Sequence, residues 1–320
     1  MISWQPSASL EAIRARAELN AQIRQFFAER GVLEVDTPVL SAAAVSDPHL
    51  EPMQSQYCGP GFDQGLGLFL QTSPEYAMKR LLAAGSGPIY QLAKAFRNGE
   101  SGRKHNPEFC MLEWYRPDFD DRQLMDEVEA LVAAALGRDD FQRISYRKLF
   151  QQQLDCDPHT APVDQLRLLT RQRLELSLES DDRDEYLNVL ISHVLEPALI
   201  KPTFVYDYPA SQAALARVEN DNLDQPVAKR FELFVEGVEL ANGYFELTDS
   251  QEQARRFDAD LETRVRLGYP CHPVDQRLVA ALEAGMPDCA GVALGVDRLL
   301  MLRLGKGHLD QVLAFPLRLA

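Results

Sequence analysis

The segment FRNGESGRKHNPEFCMLEWY, residues 96–115, decides the fold. A polar loop separates two runs of largely apolar residues, which predicts a strand, a long loop and a returning strand. One sheet face would then present the cation of Arg97, the ring of Phe109 and the carboxylate of Glu113. Such groups suit a nucleotide and an amine held side by side. Taken alone, the alternation of Phe109, Met111, Glu113 and Tyr115 in the second run is more typical of an ordinary half-buried strand.

A second informative segment is GVALGVDRLLML, residues 291–302. It predicts a strand, a glycine turn and an apolar helix. The spacing of Gly291 and Gly295 is weak support for a site, because these glycines also permit close helix packing. Arg298 is more specific, since an arginine near the start of a helix adds a planar charged fork to free backbone N–H groups. This segment therefore indicates phosphate binding.

Composition restricts the class of protein. The chain has 320 residues, is 46% hydrophobic and carries a formal net charge of -15. An acidic balance disfavours a phosphate backbone as partner, so no tRNA partner is expected. No long apolar run or secretory start is present, so we expect a cytoplasmic protein without membrane contact. The exception to the acidic balance is the first helix, where Arg14, Arg16, Arg24 and Arg30 form either a solvated basic face or part of a contact.

The order of predicted elements indicates an α+β fold. Residues 9–30 predict a helix with Ser9 as N-cap, and residues 32–40 predict a strand broken by Pro38. Residues 71–85 predict a turn at Ser73 and Pro74 that enters a helix, with Pro74 at its first position. Residues 120–200 read as mostly helical, including helices at 124–136 and 186–199, and strands return from residue 203.

The segment RFELFVEGVELANGYFEL, residues 230–247, predicts a hairpin. With a two-residue turn at Glu236 and Gly237, Glu232 would pair with Ala241 and become a diagonal neighbour of Glu239. Two such carboxylates repel unless a cation lies between them, and Mg²⁺ accompanying a triphosphate would serve. A solvated pair of carboxylates is an equally good reading of this segment.

The next residues, Asn242 and Gly243, are expected at a turn that brings Glu246 back to the same side. A carboxylate in an enclosed site attracts an amine, and the phenol of Tyr115 would complete an ammonium pocket. The alternative is an ordinary surface glutamate.

Together these segments resemble the three signature motifs of class II aminoacyl-tRNA synthetases, most closely the lysyl branch. The first helix with VDTPVL is similar to motif 1, residues 96–115 to motif 2 and residues 291–302 to motif 3. The resemblance implies a class II synthetase catalytic fold, an antiparallel sheet flanked by helices, over residues 1–320 as a single domain. It also implies a C2 homodimer built on motif 1.

Motif 1 begins at the ninth residue, without the anticodon-binding domain that precedes it in lysyl-tRNA synthetases. The chain thus resembles truncated homologues that attach (R)-beta-lysine to a lysine of elongation factor P. Ala293 replaces the middle glycine of motif 3, which would narrow the pocket near the α-amino position. Gly99 stands where motif 2 usually has glutamate, and Glu100 follows it. The resemblance leaves two positions, Gly99 and Glu100, for the nucleotide contact of that glutamate.

The resemblance assigns roles by position, with ATP and Mg²⁺ as cofactors. The implied catalytic residues are Arg97, Arg298 and Glu239. The implied ATP-binding residues are Arg97, Asn98, Gly99, His105, Asn106, Phe109, Glu239, Leu240, Gly295 and Arg298. The implied substrate-binding residues are Ser73, Pro74, Glu75, Tyr115, Asn242, Glu246 and Ala293, and the implied metal ligands are Glu232 and Glu239.

Three alternatives remain from the sequence. One is a related enzyme that makes free lysyl adenylate or acylates RNA. Another is an inactive paralogue that senses an amino acid, although such proteins usually lose the arginines that Arg97 and Arg298 represent. The third is a class II asparagine synthetase, whose substrate carboxylate calls for a cation where this chain has Glu246.

Overall fold

The computed structural model describes residues 4–176 and 178–320. Its α-helices are α1 (Leu10–Ala28), α2 (Glu75–Ala83), α3 (Asp121–Leu136), α4 (Tyr146–Leu154), α5 (Val163–Arg173), α6 (Arg183–Leu190), α7 (Ser250–Leu267), α8 (Gln276–Gly285) and α9 (Val296–Arg303). Its strands are β1 (Leu33–Glu34), β2 (Leu40–Ser41), β3 (Gln54–Gly59), β4 (Phe62–Leu70), β5 (Ile89–Phe96), β6 (Glu108–Pro117), β7 (Gln142–Ser145), β8 (Thr203–Pro209), β9 (Val218–Asn220), β10 (Pro226–Val235), β11 (Val238–Phe245) and β12 (Cys289–Gly295).

These elements fall into two compact units. The first comprises the chain up to Asp118, Ala134–Leu136 and Leu247–Ala320, and the second comprises Phe119–Ala133 and Gly137–Glu246. The expectation of a single domain over the whole chain stays a prediction. Within the described residues, we find no helix that combines the length and the apolar character needed to cross a bilayer.

The sheet of the first unit carries the predicted strand, loop and returning strand. Strand β6 pairs antiparallel with β5 and with β12, and β1 adds to β5 in parallel. A smaller antiparallel sheet has the order β2-β4-β3. The register of β6 places Glu113 between Gln91 of β5 and Ala293 of β12. The predicted strand–loop–strand of residues 96–115 is therefore confirmed.

Helix α1 covers this sheet with an apolar face. It begins where Ser9 Oγ accepts a hydrogen bond from the Ala12 N–H at 3.1 Å, as the sequence predicts. Phe27, near the end of the helix, stacks on Tyr90 of β5 with ring centroids 4.3 Å apart. The same ring meets Trp114 of β6 edge-on at 5.3 Å. These aromatic contacts fix the helix against the two central strands.

The second unit pairs β8 with β7 in parallel and with β10 antiparallel, while β10 also pairs with β9 and β11. Its core buries Phe150 of α4, Leu166 of α5, Leu187 of α6, Val205 of β8 and Phe234 of β10. The middle of the chain is thus mostly helical, as predicted. The helix expected at 186–199 ends earlier, at Leu190, and continues as a π turn and a 3-10 turn.

Three local predictions are wrong. Pro74 is the N-cap of α2 rather than its first residue. Glu232 pairs with Asn242 instead of Ala241, because a β-bulge between Leu233 and Phe234 shifts the register. Asn242 and Gly243 lie inside β11 and form no turn. The segment 32–40 is indeed interrupted at its proline, and only the two-residue strands β1 and β2 form there.

The predicted turn at Glu236 and Gly237 is confirmed. Val235 pairs with Val238, and both turn residues have positive φ, 53° and 67°. A two-residue turn with two positive φ angles matches the twist of the strands it joins. Carboxylates of β10 and β11 are therefore held at defined positions by a rigid hairpin.

Candidate active site

Arg97 begins the loop between β5 and β6. Its backbone N–H donates to Pro107 O at 2.9 Å, which closes the base of the loop. The guanidinium carbon lies 5.1 Å from the centroid of the Phe109 ring. A cation at this distance from a ring face is attracted by the ring quadrupole. The structure therefore brings together the predicted cation and the predicted aromatic plate.

The residues after Arg97 explain the departure from the motif. Gly99 has φ +82°, a backbone conformation that glycine adopts without steric cost. The Asn98 N–H donates to Glu51 O at 2.8 Å. Glu100 then places its Oε1 3.7 Å from Nη1 of Arg97. The glutamate is shifted by one residue and still faces the arginine of the motif.

Arg298, in the first turn of α9, contacts the same loop. Its Nη2 lies 2.8 Å from Nε2 of His105, and its Nε donates to Lys104 O at 3.2 Å. A Cβ added at Gly295 would lie 3.5 Å from Cδ of Arg298, an ordinary packing distance. Two predicted site residues far apart in the sequence, His105 and Arg298, therefore meet.

Asn106 fastens the loop to the C-terminal segment. Its Nδ2 donates to Glu108 O at 2.6 Å, and its Oδ1 accepts from the Leu317 N–H at 3.0 Å. These bonds give Asn106 a structural role, and its predicted contact with ATP stays a prediction.

Glu113 is the centre of a buried cluster in the first unit. The residue is 2% exposed. Its Oε2 accepts a hydrogen bond from Ser73 Oγ at 2.5 Å, and its Oε1 accepts one from Tyr115 Oη at 2.7 Å. Two predicted substrate-binding residues, Ser73 and Tyr115, therefore converge on one carboxylate. From the sequence, this carboxylate is expected on a sheet face that suits a nucleotide and an amine, but Glu113 is not among the predicted substrate-binding residues.

Burial, together with the neighbouring Glu75 carboxylate, raises the pKa of Glu113 to about 7. The hydrogen bonds from Ser73 and Tyr115 and the ammonium of Lys79 act in the opposite direction. That ammonium is engaged by Glu75, with Nζ 2.7 Å from Oε1. A cation that binds next to this carboxylate stabilises it, because a nearby positive charge favours the ionised form.

The remaining predicted residues of this region frame the cluster. Ala293 of β12 is the register partner of Glu113, so its methyl group belongs to the strand next to the carboxylate. Pro74 lies between Ser73 and Glu75, at the start of α2. The predicted contacts of Ala293 and Pro74 with the substrate stay predictions.

The second unit contains another carboxylate with little solvent exposure, that of Glu232, whose side chain is 12% exposed. Its Oε2 accepts a hydrogen bond from Tyr208 Oη at 2.7 Å, and its Oε1 is paired with Nη2 of Arg230. Burial raises the pKa of Glu232, the Arg230 guanidinium lowers it, and Glu239 raises it again. The carboxylate that the sequence assigns to a metal therefore already has an arginine as its partner. Sequence reasoning missed Arg230, although it lies only two residues before Glu232.

Strand β11 presents the other predicted residues of this unit. Glu239 is the register partner of Phe234 and still acts electrostatically on Glu232. Leu240 is buried in the strand. Within the described part of the chain, Oδ1 of Asn242 is buried and makes no hydrogen bond. An unsatisfied buried acceptor is uncommon and is consistent with a missing ligand donor.

Glu246 follows β11 directly and is 1% exposed. Its backbone O accepts a hydrogen bond from Arg217 Nε at 3.1 Å. The alternative of an ordinary surface glutamate is therefore wrong.

The residues present fit a magnesium ion only in part. Among residues 4–176 and 178–320, no group of three or more His, Cys, Asp or Glu side chains is placed to hold a metal. Mg²⁺ commonly uses one or two protein carboxylates and completes its shell with phosphate oxygens and water. Glu239 with Glu232 meets that smaller requirement, and the predicted metal site stays a prediction.

These strands, the two arginines and the helix after β12 define a class of protein. The family model described as tRNA synthetases class II (D, K and N) matches residues 2–318, and the chain belongs to this family. The predicted class II fold is thereby confirmed.

Two curated relatives match almost the whole chain. One, from Yersinia enterocolitica, is 53% identical over 319 residues, which cover 98% of this chain and 97% of the relative. The other, from Proteus mirabilis, is 52% identical over 318 residues, with the same coverage of 98% and 97%. Each is named elongation factor P--(R)-beta-lysine ligase.

Proposed function

We propose that this protein is an ATP-dependent ligase that activates (R)-beta-lysine as an adenylate and transfers it to the ε-amine of a lysine of elongation factor P. The relatives of that name support the assignment, because they align along nearly their entire length. The structural observation that carries it is the Glu113 cluster. A buried carboxylate, bonded by Ser73 and Tyr115, suits the ammonium group of a small substrate.

In the first step the substrate carboxylate attacks the α-phosphorus of ATP. A new oxygen–phosphorus bond forms, the bond to the bridging oxygen breaks, and pyrophosphate leaves with that electron pair. No protein nucleophile is required, so positioning and charge neutralisation do the work. Arg97 binds the α-phosphate and Arg298 the γ-phosphate, while Phe109 stacks on adenine.

Other residues of the first unit complete the nucleotide site. Their proposed role is to close the loop over ATP and to leave room for its phosphates. They are Asn98, Gly99, His105, Asn106 and Gly295. Leu240 of β11 is assigned to ATP by resemblance alone.

The metal ligands are Glu239 and Glu232. Bound Mg²⁺ would neutralise phosphate charge during the transfer. Since Arg230 already pairs with Glu232, we assign the stronger metal contact to Glu239.

For the substrate, we assign one amine to Glu113, Ser73 and Tyr115 and retain Glu246 as a partner of an ammonium group. Glu75, Pro74, Asn242 and Ala293 line the substrate. The methyl group of Ala293 occupies space near an α-amine, whereas a β-amine is displaced by one carbon. One methyl group changes discrimination by about 1–3 kcal/mol. Pyrophosphate exchange should therefore be faster with (R)-beta-lysine than with L-α-lysine, and the reverse ranking would exclude the substrate assignment.

In the second step the deprotonated ε-amine of the acceptor lysine attacks the carbonyl carbon of the adenylate. An amide forms, and AMP leaves with the electrons of the cleaved carbon–oxygen bond. The proton lost by the amine goes to solvent or to a base.

The decisive experiment is mass spectrometry of elongation factor P after incubation with this protein, ATP and either lysine isomer. We expect one addition with the mass of a lysyl residue, dependent on ATP and favoured with (R)-beta-lysine. One control reaction omits ATP, and another contains bulk tRNA in place of elongation factor P. Charging of tRNA without modification of the factor would replace our proposal with the RNA-acylating alternative.

Two further properties are part of the proposal. A homodimer is supported by the exposed side chains of Leu33, Val39 and Leu40 in the motif 1 segment. Light scattering would measure the molar mass in solution, and we expect twice the mass of one chain. A cytoplasmic location without tRNA or membrane contact agrees with a role in modifying a translation factor.

A further inference from the structure

The basic residues of α1 and of the turn that follows it differ in what they contact. Arg24 makes an exposed pair with Glu34, with 3.1 Å between Nε and Oε1. The guanidinium of Arg30 lies over the Phe26 ring at 3.5 Å. Arg16 instead reaches inward, where its Nη2 lies 2.6 Å from Oδ1 of Asp297 and donates to Val312 O at 3.1 Å. Arg16 is therefore not part of a solvated face.

Asp297 is a buried junction of three elements. The residue is 2% exposed and lies in the first turn of α9. One oxygen pairs with Arg16 of α1, and the other accepts the Cys110 N–H of β6 at 2.8 Å. The Asp297 carboxylate also acts electrostatically on Lys94. The ammonium of Lys94 is paired with Glu108, however, with 2.9 Å between Nζ and Oε1. Arg16 is therefore the contacting cation that balances this carboxylate.

The next residue in the chain is Arg298. Its guanidinium contacts His105 at 2.8 Å and Lys104 O at 3.2 Å. The orientation of the first turn of α9 decides where this guanidinium points. That turn is held through the Asp297 carboxylate.

We propose that Arg16 is a positioning residue for ATP, acting through Asp297 on Arg298. This inference rests on the proposed function, in which Arg298 binds phosphate. Arg16 has two effects in this account. It fixes the first turn of α9, and it cancels a buried negative charge one residue away from the phosphate-binding guanidinium.

The second effect distinguishes positioning from simple stabilisation. Without Arg16, the Asp297 carboxylate would compete with phosphate for Arg298 and repel the triphosphate. Removal of the carboxylate in the same protein would then relieve part of the defect. A residue that only stabilised the fold would lose and regain stability in these two variants, but the folded protein would bind ATP with unchanged affinity.

The test compares Arg16→Gln with Arg24→Gln, the same change in the same helix at an exposed ion pair. ATP binding is measured by calorimetry, and KM values for ATP and (R)-beta-lysine are measured by pyrophosphate exchange. For Arg16→Gln we expect ATP affinity to fall about tenfold, the loss expected for about 1.4 kcal/mol. We expect the KM for (R)-beta-lysine to change less than about twofold, because the ion pair lies on the nucleotide side. Arg24→Gln should leave both unchanged.

Two further variants keep the proposal falsifiable if Arg16→Gln folds poorly. Arg16→Lys should retain most of the ATP affinity, because the positive charge remains. The double variant Arg16→Gln/Asp297→Asn should bind ATP more tightly than Arg16→Gln.

Equal ATP affinity of Arg16→Gln and Arg24→Gln would overturn the proposal. So would a double variant weaker than Arg16→Gln, or a parallel loss in ATP and amino-acid binding. Failure of the wild-type protein to bind ATP would instead refute the proposed function, and this inference with it.

Discussion

Each of the two units holds a carboxylate of low solvent exposure that accepts a hydrogen bond from a tyrosine, and the two carboxylates differ in the charge beside them. In the second unit, Glu232 has Tyr208 and its own Arg230. In the first unit, Glu113 has Tyr115, while the nearby Lys79 is engaged by Glu75. In the second unit the carboxylate thus has an arginine as its direct partner. In the first unit the nearby lysine is instead paired with a different carboxylate.

This difference separates a structural ion pair from a binding site. An internal arginine holds Glu232 in place and reduces its demand for an external cation. Glu113 lacks such a direct counter-ion among its contacts in the described residues, and burial raises its pKa to about 7. We infer that a substrate ammonium supplies the missing charge at Glu113. Substitutions in the two clusters should therefore affect different properties of the protein.

The largest expected effect is on stability, from Arg230→Met in the second unit. Removal of one partner from a buried ion pair leaves an uncompensated charge and typically costs about 3–5 kcal/mol. We expect a fall of that size in the free energy of unfolding, measured with denaturant. Arg138→Met, at a more exposed pair with Asp140, is the matched control and should cost less than about 1 kcal/mol.

The double variant Arg230→Met/Glu232→Gln sharpens this test. It removes both charges and should recover most of the lost stability. If Arg230→Met were no more harmful than Arg138→Met, Glu232 would not depend on its arginine, and the contrast between the clusters would fail.

The next largest effect is on catalysis, from Glu113→Gln in the first unit. Loss of a charged hydrogen-bond partner of the amine costs about 3 kcal/mol, so kcat/KM for (R)-beta-lysine should fall about 100-fold. Stability should hold or rise, because a buried charge disappears. Glu108→Gln, in the same strand and largely exposed, serves as control. A variant that kept its activity but unfolded more easily would show that Glu113 stabilises the fold and does not bind the amine.

A smaller effect is expected from pH. Since burial raises the pKa of Glu113 to about 7 from an ordinary 4.5, the folded protein holds a proton there that the unfolded chain releases. Its contribution to stability is therefore present below pH 4.5 and is lost as the pH rises to about 7. The affinity for the substrate amine has the opposite pH dependence, because amine binding needs the ionised carboxylate. Between about pH 6 and 8 the KM for (R)-beta-lysine should fall about tenfold, and Glu113→Gln should abolish this slope.

The smallest effects come from the two tyrosines. A single neutral hydroxyl contributes about 1 kcal/mol. Tyr208→Phe should lower the free energy of unfolding by that amount and leave KM values unchanged. Tyr115→Phe should raise the KM for (R)-beta-lysine about fivefold with little change in stability. Similar profiles for the two variants would contradict the distinction between the clusters.

Much of the first unit was predictable because its signals are local. An apolar run before a polar loop and an alternating run after it predicted β5 and β6, and Ser9 marked the start of α1. The turn at Glu236 and Gly237 was predictable for the same reason, since Gly237 is a local turn signal between two runs typical of strands.

The errors arose where distant or cooperative effects decide the structure. The bulge between Leu233 and Phe234 depends on packing that no sequence period reveals, and it moved Glu232 opposite Asn242. The asparagine–glycine pair at 242 resembles a turn, yet pairing along β10 keeps both residues in a strand. Local turn propensity lost to the pairing of two long strands.

The importance of Glu113 was also visible in part. It stands between Leu112 and Trp114 in a strand that is buried from Met111 to Tyr115, so a charged residue there had to be buried. Its bond to Ser73 depends on a contact forty positions away, which one sequence does not reveal.

The most direct test of the central claim is an NMR titration of the Glu113 carboxyl group with and without (R)-beta-lysine. We predict a pKa of about 7 in the free protein and a clear decrease when the ligand binds, because an ammonium favours the ionised carboxylate. A free-protein pKa near 4.5, or a value that does not move on ligand binding, would contradict the account.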